Sequence, residues 1–143
     1  MRLKALAGRK NIGWILTMNK YVIDTSAWIE YFGMSTKGAK IKEIIETEEV
    51  ATSIIGVAEL AYFCEKEGHD AKKIIDFVST HSAILSMSIQ LAMQAAKIKK
   101  KMRERNGKFG LADAIHLSTA SDENATLITT DNDFAGVENV MVV

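Results

Sequence analysis

Short apolar runs that alternate with helical patterns are the feature that most restricts the fold of this sequence. The runs are three or four residues long, and after most of them apolar residues recur at helical spacing. Five such runs occur: Tyr21–Ile23, Val50–Thr52, Ala83–Leu85, Thr126–Thr129 and Val140–Val143. The alternation predicts an α/β fold with three layers, α/β/α, around a mainly parallel central sheet, with the last run as an edge strand.

The length of 143 residues fits one domain. Residues 1–17 differ from the rest, because they are basic and contain an apolar stretch that is too short for a signal peptide. We interpret residues 1–17 as an N-terminal extension, non-native or dispensable, and residues 18–143 as the folded domain. An accessory arm and a nucleic-acid-binding tail are the alternatives for the extension.

Charge and cysteine content exclude several classes of protein. The net charge is zero, and the basic residues of the extension leave an excess of acidic residues in the rest of the chain. A uniformly basic surface is therefore excluded, and any contact with nucleic acid needs a local patch. Cys64 is the only cysteine, which excludes an internal disulfide and favours a cytoplasmic protein. No apolar run is long enough for a membrane span, so no membrane partner is expected.

Acidic residues stand at four informative places. Asp24 directly follows one predicted strand and Asp131 follows another after Thr130; the carboxyl ends of such strands gather ligands in a parallel sheet, and Asp133 comes two residues after Asp131. Glu59 and Asp113 lie within otherwise apolar helical stretches. They are either solvated surface charges or buried groups with partners, and Asp24 and Asp131 could simply cap the segments that follow.

Capping does not explain acids inside apolar helices, so we favour convergence of the carboxylates. Several carboxylates close together repel one another and take up protons unless a cation neutralises them. Mg²⁺ and Mn²⁺ are hard ions that prefer carboxylate oxygen and water. A site of this kind can position a phosphodiester, activate a water and stabilise the leaving oxygen.

The ordered set of motifs resembles the PIN-domain ribonucleases, and among them the VapC-type toxins of toxin–antitoxin pairs. The resemblance covers residues 18–143 and rests on four segments: YVIDTS from Tyr21, GVAEL from Gly56, DAIHLSTA from Asp113 and LITTDNDF from Leu127. It implies a Mg²⁺- or Mn²⁺-dependent endoribonuclease with Asp24, Glu59, Asp113 and Asp131 as catalytic and metal-binding residues, and with Asp131, Asp133 or both as the fourth ligand. It also implies that the Ser26 and Thr129 hydroxyls orient carboxylates or water, and that an RNA substrate, a cognate antitoxin and a homodimer are the partners.

Other residues have two interpretations each. His116 lies one turn after Asp113 and could hydrogen-bond near the site or approach a phosphate, but we favour a structural, partly buried imidazole. The basic run from Lys97 to Lys108 could bind RNA, with Lys99, Lys100 and Arg103 as contacts, or could be a solvated helix face. We expect Met87, Met93 and Met102, and most of the aromatic residues, to fill the core, and residues 33–38 to form a loop.

Three other functions compete with the toxin hypothesis. A housekeeping PIN-domain nuclease in RNA processing would use the same chemistry without an antitoxin. A non-catalytic α/β domain with an acidic pocket would bind partners only. A receiver-like signalling domain would have paired acids after the first strand and a lysine after a late strand, and Asp24 is followed by Thr25 and Ser26 instead.

Overall fold

A computed structural model describes residues 19–143. The proposed extension at residues 1–17 lies outside the described residues, so its interpretation stays a prediction. The described part contains five strands, six α-helices and one turn of 3₁₀ helix. In chain order they are β1 Lys20–Ile23, α1 Thr25–Phe32, α2 Thr36–Thr47, β2 Glu49–Ser53, α3 Ile54–Glu67, α4 Ala71–His81, β3 Ala83–Leu85, α5 Ile89–Arg103, α6 Leu111–Asp122, β4 Thr126–Thr129, the 3₁₀ turn Asn132–Phe134, and β5 Val140–Val142.

The five strands form one sheet in the order β3-β2-β1-β4-β5, and every neighbouring pair is parallel. The prediction of a mainly parallel sheet with the last strand at an edge is therefore confirmed. Strand β1 is central, and Tyr21 is in register with Val50 of β2 on one side and with Thr126 of β4 on the other. The residue that follows β1 consequently emerges at the middle of the carboxyl edge of the sheet.

Both faces of the sheet are covered, which makes the predicted three-layer α/β/α arrangement. Val22 and Leu127 face one side and pack in a core with α5 and α6. Their neighbours Ile23 and Ile128 face the other side and pack with α1, α2, α3 and α4. Because β1 and β4 are buried on both faces, their neighbouring residues are apolar without alternation, whereas the edge strands β3 and β5 have exposed residues. None of the helices between residues 19 and 143 has the length and apolar character that crossing a membrane requires.

Two expectations about packing and boundaries are wrong. Residues 33–38 are not one loop, because Ser35 caps α2 and the helix already includes Gly38. Met102 is buried, but Met93 is 61% exposed and Met87 is 39% exposed, so two of the three methionines lie outside the core. Most of the aromatic residues in the described part pack in or against the core as expected, and Tyr62, 70% exposed, is an exception. Helical spacing predicts an apolar face, but that face is buried only where a neighbouring element packs against it.

Candidate metal centre

Asp24 lies at the centre of the carboxyl edge of the sheet and is almost buried. It is the N-cap of α1, as the sequence allowed, and its Oδ1 accepts the N–H of Thr25 at 2.8 Å. Its Oδ2 accepts hydrogen bonds from the hydroxyls of Ser26 (3.0 Å) and Thr129 (2.7 Å). Capping and a place in an acidic site are thus combined in one residue, and both hydroxyls singled out in the sequence hold this carboxylate.

Glu59 reaches the same place from the second turn of α3. Its Oε1 accepts hydrogen bonds from the Thr25 hydroxyl at 2.8 Å and from Nε2 of His116 at 2.6 Å. Burial alone would raise the pKa of Glu59, but these bonds and the positive charge of His116 outweigh it and hold the pKa below its ordinary value. Glu59 is therefore ionised at neutral pH.

His116 is the buried, structural imidazole that we favoured from the sequence, and it also hydrogen-bonds to an acid of the cluster. It is 1% exposed, and its Nε2 lies 2.6 Å from Glu59 Oε1 and 3.4 Å from Asp24 Oδ1. Burial would lower the pKa of the imidazole, but the Glu59 hydrogen bond and the charges of Asp24, Glu59 and Asp113 raise it above its ordinary value. The other ring nitrogen, Nδ1, lies 3.1 Å from the Ser53 hydroxyl.

Asp113 lies in the first turn of α6 and is the third acid of the cluster. Its Oδ2 accepts the N–H of Gly110 at 2.9 Å, which anchors the start of the helix. Burial raises the pKa of Asp113, and the neighbouring charges of Asp24 and Asp131 raise it further, against the effect of the Gly110 hydrogen bond. The raised pKa of Asp113 thus reflects burial first and the nearby carboxylate charges second.

Asp131 and Asp133 differ in their relation to the cluster. Asp131 follows β4, the strand next to β1, and its charge acts on Asp113. Its Oδ1 accepts the N–H of Asp133 at 2.9 Å, and its own N–H donates to Thr129 Oγ1 at 3.1 Å. The side chain of Asp133 is exposed. Of the two, Asp131 is the residue that the structure brings to the other acids.

The donor set suits a hard divalent cation. Carboxylates from four elements of the fold meet at one edge, and ligand atoms of Asp24, Glu59 and His116 lie within 4.8 Å of one another. Among the hydrogen bonds of residues 19–143, none engages Oε2 of Glu59 or Oδ1 of Asp113. Each of these two acids thus has one oxygen held by the protein and one left for a ligand, the arrangement that carboxylate-bound Mg²⁺ or Mn²⁺ requires.

Two residues of the site, Thr25 and Ser53, were undervalued in the sequence. Neither was given a role at the site, although their hydroxyls bond Glu59 and His116. The apolar stretches around Glu59 and Asp113 were the only signal that their helices face the same cleft. Threonine and serine after a strand are so common at helix starts that they carry no further information without the fold.

The raised pKa of Asp113 leads to a prediction about pH. At acid pH this carboxyl is protonated in both the folded and the unfolded chain and has no effect on stability. As pH rises, the unfolded chain loses this proton first and the folded protein ionises at a cost, so the stability contribution falls. In metal-free buffer Asp113→Asn should therefore raise the melting temperature at pH 7 and have little effect on it at pH 3.

The matched control is Asp133→Asn, since that side chain is exposed. Melting curves of both variants between pH 3 and pH 8 measure the effect. A pH-independent shift for Asp113→Asn would mean that the neighbouring carboxylates do not act on it.

The basic run is exposed along the end of α5 and the turn that leads to α6. Of its cations only Lys99 is partly covered, and Arg103 donates from Nη1 to the carbonyl of Phe109 at 3.2 Å. Phe109 adjoins Gly110, whose N–H holds Asp113. The run is thus joined to the segment that carries a site carboxylate, and Arg103 has a structural bond that Lys99 and Lys100 lack within the described residues.

Comparisons with known proteins agree with this geometry. Residues 21–140 match the PIN domain. No curated protein sequence matches the chain significantly. Among solved structures, a toxin–antitoxin complex from Klebsiella pneumoniae is 26% identical, with 85% of this chain and 96% of that chain covered and a TM-score of 0.65. VapBC2 from Rickettsia felis, bound to a DNA fragment from their promoter, is 20% identical with 87% and 97% covered and a TM-score of 0.67.

VapC20 from Mycobacterium tuberculosis, described as a sarcin–ricin loop cleaving toxin, is 17% identical over 82% of this chain and 95% of that chain, with a TM-score of 0.65. The family match includes all four acids of the candidate centre, and the structural matches span nearly the whole of each solved chain. The protein belongs to the PIN-domain family, and its fold is that of VapC-type toxins.

Proposed function

We propose that this protein is an endoribonuclease that depends on Mg²⁺ or Mn²⁺ and acts as the toxin of a toxin–antitoxin pair. The observation that carries the proposal is the acidic cluster at the carboxyl edge of a PIN-domain sheet, where ligand atoms of Asp24 and Glu59 lie together and the charges of Asp24 and Asp131 act on Asp113. The similarity to a solved toxin that cleaves an RNA loop supports RNA as the substrate.

The cation would be held by the oxygens that the protein leaves free. Glu59 Oε2 and Asp113 Oδ1 are two of them, and Asp24 and Asp131 would add carboxylate oxygens that also accept hydrogen bonds from the protein. Asp133 is exposed and would approach only from solvent. A bound divalent ion would neutralise the charges of the carboxylates and of a phosphodiester, and it would polarise an attacking water.

The protein's own groups set the geometry of this reaction. The hydroxyls of Ser26 and Thr129 fix Asp24 through Oδ2, and the Thr25 N–H fixes it through Oδ1. Ser26 Oγ also accepts the N–H of Thr130, which ties the end of β4 to the start of α1. Two strands and one helix are thereby locked together around the central acid, so its position does not depend on the substrate.

A direct test uses RNA and a DNA of the same sequence with purified protein. We expect RNA cleavage with Mg²⁺ or Mn²⁺, none with a chelator, and no cleavage of the DNA. Without nucleic acid, either ion should stabilise the wild type by about 2.7 kcal/mol at a hundred times its dissociation constant. A double variant, Asp24→Asn with Asp113→Asn, should be stabilised far less, and an equal shift would mean that the ions bind elsewhere.

We propose that the end of α5 lies along the RNA. Lys99→Gln with Lys100→Gln removes two exposed or partly exposed charges and no contact of the acidic centre. Each lost phosphate contact reduces the slope of log affinity against log salt by roughly 0.7 for a single strand, so the double variant should lose about 1.4. Binding should weaken while turnover at saturating RNA changes little. Fluorescence anisotropy over a range of salt measures the slope.

The matched control is Lys72→Gln with Lys73→Gln on α4, a helix of the opposite layer. Arg103 is tested separately, because its loss also breaks the bond to the Phe109 carbonyl. If the α5 variant keeps the wild-type slope, the end of α5 is a solvated face and the RNA lies elsewhere.

An antitoxin is the proposed protein partner, since solved relatives are toxin–antitoxin complexes. The feature of this chain that supports it is an open cavity of about 510 Å³ between α1, α2 and α4. Its walls are mainly apolar and include Tyr31, Phe32, Ala39 and Phe77, with the side chain of Met34 exposed at the edge. Co-purification of the chain with the product of an adjacent small open reading frame tests this partner.

A homodimer is proposed on a different surface. Ile54 and Tyr62 are exposed on α3, and Ile89 and Met93 are exposed on α5. Strands β2 and β3 pair at one side of the sheet, and α3 and α5 follow them on its opposite faces. Exposed apolar side chains are typical of subunit contacts where they form one patch, and sedimentation velocity of the isolated chain tests the assembly.

A further inference from the structure

We propose that His116 is a positioning residue that holds the carboxylate of Glu59 so that Oε2 is presented to the cation. The proposal rests on the proposed function, since it concerns the same centre. Glu59 Oε1 accepts two hydrogen bonds, from His116 and from Thr25, and both come from groups on other helices. Because Oε1 is held from two directions, the orientation of the carboxylate plane is fixed, and so is the position of Oε2.

The imidazole is itself fixed at both nitrogens. Its Nε2 lies 2.6 Å from Glu59 Oε1, which also accepts the Thr25 hydroxyl, so Nε2 is the donor of that bond. Its Nδ1 lies 3.1 Å from Ser53 Oγ, which also accepts the N–H of Gly56 at 3.0 Å. The ring is 1% exposed, so no solvent exchange competes with these bonds. A ring held in this way fixes the position of its partner, the Glu59 carboxylate.

The turn that begins α3 forms the space that the imidazole ring of His116 occupies. Ser53 is the N-cap of that helix, and Gly56 lies three residues later against the ring. A Cβ at position 56 would be 3.3 Å from His116 Cε1 and 3.4 Å from Ser53 Oγ, closer than most Cβ contacts. Glycine thus leaves the space that the imidazole occupies. The next turn of the same helix carries Glu59, so the ring and its partner are both supported by the start of α3.

The imidazole connects the two helices that each supply one acid. His116 and Asp113 lie three residues apart on α6, and Glu59 lies on α3. The bond between His116 and Glu59 therefore fixes the distance between the Glu59 and Asp113 carboxylates. Glu59 is 39% exposed at its side chain and has three rotatable bonds, so without this bond it would sample orientations that do not suit a shared ion.

The test measures the affinity for Mg²⁺ and for Mn²⁺ by calorimetry, without RNA. His116→Phe keeps a ring but removes the donor, and it should weaken the binding of both ions about 10- to 100-fold, the usual effect of losing a partner of a metal ligand. His116→Gln, whose amide can donate to Glu59, should recover part of the loss. Ser118→Ala is the control, because Ser118 is buried on the same helix and bonds the Leu91 carbonyl instead.

Gly56→Ala provides a second perturbation that leaves the ring in place. Its methyl group would press on Cε1, so it should weaken binding of both ions less than His116→Phe does, and it decides the matter if His116→Phe does not fold. Folded His116→Phe with the wild-type affinity would overturn the proposal. Loss of Mn²⁺ binding with unchanged Mg²⁺ binding in both His116 variants would also overturn it, because it would make His116 a direct ligand. A wild type that binds neither ion would instead refute the proposed function.

Discussion

Replacing Asp113 by Asn should reduce RNA cleavage by about a thousandfold or more while the fold stays intact. The substitution removes one of the oxygens that would hold the cation, and a bound metal ion contributes several kcal/mol of transition-state stabilisation, about tenfold in rate for each 1.4 kcal/mol. Glu59→Gln and Asp24→Asn should have effects of the same size. Initial rates on a defined RNA at saturating Mn²⁺, with circular dichroism of each variant, measure both parts of the prediction.

The stability of the variants separates a metal centre from a buried structural pair. Asp113→Asn removes a charge that neighbouring carboxylates repel, so the metal-free protein should be no less stable than the wild type. Asp24→Ala differs, because Asp24 caps α1 and accepts the hydroxyls of Ser26 and Thr129, and loss of a cap alone costs about 1 kcal/mol. Asp24→Asn keeps an acceptor and is the better test of activity.

Two results would contradict this prediction. Variants that cut RNA at the wild-type rate would mean that the reaction takes place elsewhere. A loss of several kcal/mol of stability in Asp113→Asn would mean that this carboxylate is part of a buried structural pair. Asp133→Asn, at the exposed edge of the same centre, should retain most of the activity and serves as the matched control.

The acidic centre was predictable to the extent that it depends on strand order along the chain. Parallel strands place their carboxyl ends at one edge, so Asp24 and Asp131 come together whatever the details of packing. The two helical acids were identified because they interrupt apolar stretches. Their partners were not predictable, since the contact between Glu59 and His116 joins residues 57 positions apart and depends on how α3 and α6 pack.

The start of α2 was mispredicted for a related reason. Two glycines within six residues, Gly33 and Gly38, are typical of a loop, and local sequence favours that interpretation. In the structure only Gly33 lies between helices, as the C-cap of α1, while Gly38 is buried in the first turns of α2. Its lack of a side chain serves the contact between the two helices rather than a turn, and nothing in the local sequence distinguishes these uses.

Gly38→Ala should be among the most destabilising single substitutions in this chain. A Cβ at this position would overlap the backbone carbonyl oxygen of Glu30 and would lie 2.8 Å from the carbonyl carbon and 3.1 Å from the Cα of Tyr31. These atoms belong to the backbone of α1, so the overlap is relieved only if α2 moves away from α1. Overpacking of this kind costs about 3 kcal/mol, which lowers the melting temperature of a domain of this size by about 10 °C.

Gly107→Ala provides the matched control, because within residues 19–143 no atom beyond the chain neighbours lies within 4 Å of a Cβ at that position. It should leave stability unchanged or raise it by about 0.5 kcal/mol, as alanine restricts the unfolded chain more than glycine does. Thermal and urea unfolding of the two variants measure the difference. Gly38→Ala with the stability of Gly107→Ala would show that α1 and α2 do not pack so closely. Because Asp24 is the N-cap of α1, a shift between these helices should also weaken Mn²⁺ binding. Gly107→Ala should bind Mn²⁺ as the wild type does.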